Sequence, residues 1–320
     1  MTKDILRVLQ LDDPHRTCFV IPFAGLLAPG TPRLVGCVLL TYQNWEQWRL
    51  LEHTAFVEKH LVPGYVPPMV VGIFTVEGKQ TQRRAWKRAE VIRDATALSL
   101  RLAGCPEFVE PRLVALYSAN DPSYTREPGP YRQAMLSGMF DLSPRPPKRK
   151  TLKDADALYR KIVQWIADAK ETELSPVSLY RQSYGPFLRA GDRLLFLFAA
   201  MEALMLPWRE KVSGTSLEDR ISLAARLGNA QPAAQIATGA ARNARNTLAH
   251  GEPREDAFSP IVAPLQETMR GALRSWIEFR HNLPCLEKPT IEFNLRLATA
   301  ITHGMALEEA ATYLFAQTPS

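Results

Sequence analysis

The sequence predicts an α+β fold, with a mixed, β-rich N-terminal domain followed by an all-helical bundle. Short segments rich in Val, Ile and aromatic residues occupy the first half of the chain, as is typical of strands. The stretch SPRPPKRK, Ser143–Lys150, then interrupts regular structure with prolines and crowds basic residues together. Beyond it, apolar residues recur every three or four positions, which indicates helices. We expect a mixed α/β domain with a sensory or regulatory role, a Pro-rich basic linker, a helical domain and a helical C-terminal extension, at residues 1–143, 144–151, 152–283 and 284–320.

Four segments of the first half are predicted strands, each bounded by Pro or Gly. A long helix is predicted between the last two, because Val91, Ala95, Leu98 and Leu102 follow the spacing of a buried helical face. Gly104 and Pro106 are its predicted stop signals. The predicted strands are Thr17–Phe23, Arg33–Thr41, Met69–Val76 and Arg112–Ser118.

The helical half begins with residues 154–170, which we expect to bury one side. Thr215–Glu218 matches a capping box, in which a hydroxyl and a carboxylate bind the free amides at a helix start, and Gly228 is the expected end of that helix. The buried side of the first helix is predicted to hold Ala157, Ile162, Trp165 and Ile166. Further helices are predicted at Phe187–Leu206, around Pro264–Phe279 and around Phe293–Phe315.

Composition and charge exclude several classes of function. The formal net charge of +6 favours polyanionic partners, although a solvated basic surface explains it equally well. No Gly-rich phosphate loop is present, which argues against ATP-driven or hydride chemistry. The cysteines lack metal-ligand spacing, so we expect no metal and no cofactor. The four are Cys18, Cys37, Cys105 and Cys285.

The same features predict a cytoplasmic protein. Scattered cysteines are typical of a compartment that keeps thiols reduced. The first residues are too polar for a signal peptide, and the longest apolar run, Leu194–Leu206, is too short to cross a bilayer and contains Glu202. We therefore expect no membrane partner.

The segment AARNARNTLAHGEP, Ala240–Pro253, combines helical spacing with a polar side. Small apolar residues form one stripe, which suits close packing on another helix. Arg242, Asn246 and His250 are spaced four apart and form a second stripe on the opposite side, with Arg245 beside it. Gly251 then occupies the usual position of a helix end.

These polar groups suit metal-free cleavage of RNA. Arginine stays charged and can hold a phosphate with two hydrogen bonds, while histidine can transfer protons near neutral pH. RNA supplies its own nucleophile in the 2′-hydroxyl. Spacing alone also fits a solvated helix end, the more common outcome.

The sequence Arg245-Asn246-Thr-Leu-Ala-His250 resembles the signature of HEPN domains, in particular the Apea-like group. RLLFLFAAMEALML, Arg193–Leu206, is similar to the long hydrophobic helix of that family, and LEDRISLAARLG, Leu217–Gly228, is similar to the helix that follows it. The resemblance covers roughly residues 152–283.

The resemblance implies a homodimer in which two motifs face one composite cleft, and metal-independent endoribonuclease activity in antiviral defence or toxin systems. It assigns Arg245 to the scissile phosphate, Asn246 to a neighbouring polar contact and His250 to general acid–base catalysis. The products would carry 2′,3′-cyclic phosphate and 5′-hydroxyl ends. Arg242 is not part of the family signature; it could bind an adjacent phosphate or pair with an acid. A cognate inhibitor or activator would be a further partner.

Two alternatives remain open. Some HEPN proteins do not cleave RNA and serve as modules for dimerisation or for binding a nucleotide, RNA or protein. The resemblance could also be accidental in an unrelated helical enzyme.

A second basic cluster lies on the helix predicted in the N-terminal domain. Arg83, Arg84, Lys87 and Arg88 recur at one- and four-residue spacing, with Trp86 among them. We expect either an RNA-binding surface or a solvated helix face.

Overall fold

A computed structural model describes ten parts of the chain, and these form five strands and eight helices. Contacts divide the chain into two units, Met1–Val163 and Gln164–Ser320. Strands occur in the first unit and helices in both, which confirms the α+β class. The described residues are 15–24, 33–41, 69–78, 83–105, 108, 114–118, 147–185, 188–205, 215–233 and 255–316.

The strands of the first unit form an antiparallel sheet in the order β2-β3-β4-β1-β5. β1 pairs along its whole length with β4, from Arg16 opposite Glu77 to Ala24 opposite Met69. β5 closes the other side of β1. The strands are β1 (Arg16–Ala24), β2 (Arg33–Val35), β3 (Cys37–Thr41), β4 (Met69–Glu77) and β5 (Val114–Ser118).

All four predicted strand segments contain a strand. The prediction for Arg33–Thr41 was wrong in one respect, because the segment folds into two strands separated at Gly36. Gly36 has a φ of +65°, which lets the chain reverse tightly so that Val35 pairs with Cys37.

One face of the sheet forms the core of the first unit. Phe19, Ile21 and Phe23 alternate along β1 and are all fully buried. Phe19 stacks on its cross-strand partner Phe74, with ring centroids 5.7 Å apart. Helix α1 (Arg83–Leu102) covers this face, and its Trp86 packs edge-on against Phe19 at 5.3 Å.

The predicted buried face of α1 is largely confirmed. Ala95, Leu98 and Leu102 are fully buried, whereas Val91 is half-buried. The last turn also buries Arg101, which donates a hydrogen bond to the Phe108 carbonyl at 3.0 Å and lies 4.2 Å above the Phe108 ring. Gly104, with a φ of +97°, follows as predicted.

Helix α2 (Arg149–Asp168) begins within the stretch that the sequence assigned to a linker. Leu152 and Ala155 belong to the core beneath the sheet, and the Tyr159 ring lies against the backbone of Gly36. The prediction for the buried side of α2 was wrong at Ala157, which is exposed. The buried stripe passes through Ala155 and Leu158 instead. That stripe consists of Ala155, Leu158, Ile162 and Trp165.

The regular secondary structure in the described part of the second unit is helical. The predicted tail folds as two helices, because Gly304, with a φ of +61°, turns the chain between them. The helix expected around Pro264–Phe279 is longer and contains Pro260 and Pro264. The helices are α3 (Glu171–Gln182), α4 (Ala190–Met205), α5 (Leu217–Leu227), α6 (Glu255–Asn282), α7 (Pro289–Thr302) and α8 (Leu307–Phe315).

The capping box of α5 is present but lies one residue later than predicted. Ser216 is the N-cap; its hydroxyl accepts a hydrogen bond from the Asp219 amide at 3.0 Å, and the Asp219 carboxylate accepts one from the Ser216 amide at 3.2 Å. The cause is that the helix begins at Leu217, so the third helical residue is Asp219 rather than Glu218. Gly228 ends the helix as predicted.

Two glycines allow α5 and α6 to touch backbone to backbone. A Cβ atom on Gly228 would overlap the carbonyl oxygen of Gly271, and one on Gly271 would lie 2.6 Å from the carbonyl oxygen of Ala225. The Ser275 hydroxyl also donates a hydrogen bond of 2.6 Å to the Ala224 carbonyl. The contact therefore depends on the absence of side chains at both glycines.

We predict that Gly271→Ala lowers the free energy of unfolding by about 3 kcal/mol, because the methyl group meets backbone that cannot give way. Helix propensity alone would favour alanine by about 1 kcal/mol, so the expected change has the opposite sign. Chemical denaturation measures it. Gly304→Ala is the control: a Cβ atom at this position would have no other atom within 4 Å, and only the positive φ should cost about 1 kcal/mol. An unchanged or higher stability of Gly271→Ala would contradict the close crossing.

We predict that the Cys37 thiol resists alkylation in the native protein, while the exposed Cys285 reacts. Burial raises the pKa of Cys37 to about 12, opposed by a hydrogen bond with Thr96, so the reactive thiolate is scarce at pH 8. An unfolded thiol ionises near about pH 8.5, so this contribution to stability is complete below that pH and is lost as the pH rises toward 12. Iodoacetamide labelling with peptide mass spectrometry measures the reactivity of the two thiols, and denaturation between about pH 8 and 11 measures the loss of stability. Equal labelling of Cys37 and Cys285 would contradict the predicted protection of Cys37.

Candidate functional site

The residues predicted to carry catalysis lie outside the described residues. Arg242, Arg245, Asn246 and His250 belong to the stretch 234–254, and their assignments stay predictions. The structure describes the chain on both sides of this stretch, up to Ala233 and from Glu255. The two flanking segments therefore define where the stretch 234–254 begins and ends in the fold.

The first end is the turn that closes α5. Gly228 is its C-cap, and Asn229 takes a φ of +61°, the left-handed conformation that asparagine tolerates. The Ala230 amide then donates a hydrogen bond to the Ala225 carbonyl at 2.9 Å. These bonds fix the direction in which the chain leaves the helix.

After the turn, the chain runs antiparallel along α6. Ala224 meets Ser275, Gly228 meets Gly271, and the Ala233 amide donates to the Thr268 hydroxyl at 2.8 Å. The Thr268 hydroxyl in turn donates to the Pro264 carbonyl at 2.9 Å, one turn back along α6. The predicted catalytic stretch thus starts beside Thr268.

The second end is the N-terminus of α6. Glu255 precedes Thr268 by thirteen residues, which corresponds to about 20 Å along a helix. Both ends of the stretch 234–254 are therefore attached to the same helix, about 20 Å apart. α4 packs against both α5 and α6, and its Glu202 is half-buried.

A buried arginine lies at the start of α5. Arg220 is only 1% exposed and donates a hydrogen bond to the Thr215 hydroxyl at 3.5 Å. Burial lowers the pKa of its guanidinium, and the nearby Asp219 and Glu218 carboxylates oppose that shift. Sequence reasoning did not single this residue out, because on periodicity alone an arginine in a short helix is expected to face solvent.

The basic residues predicted on the N-terminal helix are exposed. Arg83, Arg84, Lys87 and Arg88 all face solvent, whereas the neighbouring Trp86 is half-buried against Phe19. Trp86 therefore packs against the core, and only part of its ring is exposed. An RNA-binding role for the four cations stays a prediction.

The second unit contains a polar site that the sequence did not predict. Glu173 is buried at the start of α3, where its carboxylate accepts hydrogen bonds from the Arg280 guanidinium at 3.0 Å and from the Trp165 indole at 3.4 Å. Arg280 also donates to the Leu283 and Pro284 carbonyls. More than a hundred residues separate Glu173 from Arg280, so no local spacing could have revealed the pair.

An open cavity of about 410 Å³ lies beside this ion pair. Its lining includes Glu173 together with groups at the starts of α3 and α7, among them Lys170, Thr172, Lys288 and Thr290. Both helices have a lysine at the N-cap position, with no side chain capping the free amides. The lining carries charges of both signs.

Metal and membrane features are absent from the part of the chain that the structure covers. No three His, Cys, Asp or Glu side chains there are grouped so that they could hold a metal ion. None of the helices described has both the length and the apolar character needed to span a bilayer.

Comparison with known proteins adds no assignment. No protein-family model matches the chain, and neither the curated proteins nor the solved structures contain a significant match.

We predict that Thr268→Val lowers the free energy of unfolding by about 1–2 kcal/mol, because the buried Ala233 amide loses its acceptor. Thermal or chemical denaturation measures the loss. Thr302→Val is a matched control, since the Thr302 hydroxyl also donates to the carbonyl four residues before it, at 2.8 Å, but is on an exposed residue. Equal effects of the two substitutions would show that Thr268 does not hold the start of the predicted catalytic stretch.

Proposed function

We propose that the protein is a metal-independent endoribonuclease of the HEPN type, which acts as a cytoplasmic homodimer in antiviral defence or in a toxin system. The 2′-hydroxyl of RNA attacks the adjacent phosphate and leaves a 2′,3′-cyclic phosphate and a 5′-hydroxyl. The N-terminal β-rich unit senses a signal or restrains the nuclease.

The attachment of both ends of the catalytic stretch to α6 is the observation that carries the proposal. The two ends lie about 20 Å apart along this helix, and a helix from Ala237 to His250 would have about the same length. Its Ala237, Ala241, Ala244 and Leu248 stripe is the kind of surface that packs closely on another helix. The opposite stripe, with Arg242, Asn246 and His250, would then be available for a substrate.

The proposed chemistry follows from the properties of the three residues. His250 removes the proton from the 2′-hydroxyl or delivers one to the leaving 5′-oxygen, and the facing copy in the dimer supplies the second proton transfer. Arg245 stabilises the negative charge that gathers on the phosphate oxygens. Asn246 donates a further hydrogen bond to the phosphate. The nucleophile belongs to the substrate, so no metal-bound water is required.

We predict that RNA is cleaved in the presence of EDTA and that Arg245→Ala and His250→Ala each lower the rate by about 100-fold or more. Labelled RNA resolved on a denaturing gel gives the rates, and mass spectrometry of the products identifies the end groups. A 2′,3′-cyclic phosphate would support attack by the 2′-hydroxyl. If RNA stays intact in EDTA and is cleaved only after Mg²⁺ is added, the metal-independent mechanism is contradicted.

His303→Ala serves as the matched control, because His303 is an exposed histidine at the end of α7. It should cleave at the wild-type rate. If the wild type and all variants are folded and dimeric, bind RNA and leave it intact, the protein is either a non-catalytic binding module or a nuclease that requires an activator.

A further inference from the structure

Two helices of the first unit begin with clusters of exposed cations. α1 carries four in its first two turns, and α2 carries three in its first two turns, with a fourth directly before them. All eight residues are exposed. We call this set the basic surface: Arg83, Arg84, Lys87, Arg88, Lys148, Arg149, Lys150 and Lys153.

Both helices cover the same face of the sheet. Ala85 and Ala89 of α1, together with Leu152 and Ala155 of α2, belong to one buried cluster with Phe19 and its neighbours on the strands. On a helical wheel, the side away from these buried residues contains Arg83, Arg84, Lys87, Lys150 and Lys153, whereas Arg88 and Arg149 lie at its edge and Lys148 precedes α2. Most of the basic surface therefore lies on the sides of the two helices that face away from the sheet.

The two helices approach each other at the β2–β3 turn. The Cys37 thiol lies close enough to interact with both Thr96 of α1 and Tyr159 of α2. Thr96 also donates a hydrogen bond to the Val35 carbonyl at 3.3 Å, and Tyr159 covers Gly36. Each helix therefore contacts the β2–β3 turn, α1 through Thr96 and α2 through Tyr159.

None of the eight cations forms an ion pair with the residues that the structure describes. Other arginines of the same two helices do: Arg93 pairs with Asp94 at 2.9 Å, and Arg160 pairs with Asp156 at 2.7 Å. The first turns of both helices also lack any acidic residue. Positive charge at a helix N-terminus opposes the helix dipole, so these positions are unfavourable for stability.

We propose that the basic surface binds the phosphate backbone of single-stranded RNA, which brings the substrate to the nuclease. The identity of the polyanion as RNA rests on the proposed function, whereas the binding itself does not require cleavage. Because Trp86 is half-buried against Phe19, the surface offers charge rather than a fully exposed aromatic ring. It therefore recognises phosphates and not bases, and binding is independent of sequence.

The test measures binding of a fluorescein-labelled uridine RNA of about 20 nucleotides by anisotropy, at salt concentrations from about 50 to 300 mM. The full-length chain carries His250→Ala throughout, so that the RNA stays intact. One variant adds Arg84→Gln, Lys87→Gln and Arg88→Gln, and a second adds Lys148→Gln, Arg149→Gln and Lys150→Gln. The control adds Arg160→Gln, Arg189→Gln and Arg226→Gln, which removes the same charge from exposed positions outside the basic surface.

Each basic-surface variant should bind at least about tenfold more weakly at about 100 mM salt, and its slope of log affinity against log salt should fall by about 2. The control should keep both the affinity and the slope, and circular dichroism should show all variants folded. Equal losses in the control and the two variants would overturn the proposal, as would a parent protein that binds anionic phosphatidylserine vesicles but no RNA. If the binding results are as expected but the wild type does not cleave RNA, the proposed nuclease activity is contradicted. The proposed RNA-binding surface is then still supported.

Discussion

The backbone contact between Gly228 and Gly271 is the constraint on which the second unit depends. It allows α5 and α6 to approach more closely than side chains would permit, and the hydrogen bond from Ser275 to Ala224 fixes their register. From there the chain is held along α6 as far as Thr268. A change of register at the glycines would move the start of the stretch 234–254, so the geometry of the proposed site depends on a contact that contains no catalytic residue.

Buried charges stabilise the ends of the helices in the same unit. Arg296 is 6% exposed, pairs with Glu292 at 2.7 Å and donates to the Leu314 and Ala316 carbonyls at the end of α8. Arg280 does the same for the carbonyls that follow α6. The last carbonyls of a helix have no partner within it, so a buried guanidinium with several donors can satisfy them where water is excluded. These arginines are therefore part of the fold and are not available to a substrate.

The sequence predicted the fold well where one periodicity dominates. Alternation along β1 and the small and apolar residues of α1 identified these elements, because each has one face in the core. The errors arose where a single residue determines the end of a strand or the start of a helix. Gly36 splits a predicted strand, and Ser216 rather than Thr215 caps α5 because the helix starts one residue later. Ala157 was wrongly assigned to the buried side of α2, because the side that faces the core contains Ala155 instead.

The candidate site was predictable only in part, for a physical reason. Arg245 and His250 stand out because their chemistry and helical spacing are local properties of the sequence. Contacts such as Glu173 with Arg280, or Thr268 with Ala233, join residues that are distant along the chain and leave no local signal. The proposed roles of Arg245 and His250 come from the resemblance to HEPN domains. The described helices show only where the stretch 234–254 is attached.

Two groups of cations have different roles: Arg280 and Arg296 stabilise the fold, and the basic surface is available for recognition. Arg296 is buried, Arg280 is partly buried and both are paired, so their removal would leave carboxylates and carbonyls without partners and destabilise the fold. The cations of the basic surface are exposed and unpaired among the described residues, and exposed charges contribute little to stability. Substitutions in the basic surface should therefore change the affinity for a polyanion without changing the fold, whereas Arg280 and Arg296 are constrained by their contacts. If the proposed function holds, substrate affinity and catalytic geometry can be adjusted independently of each other.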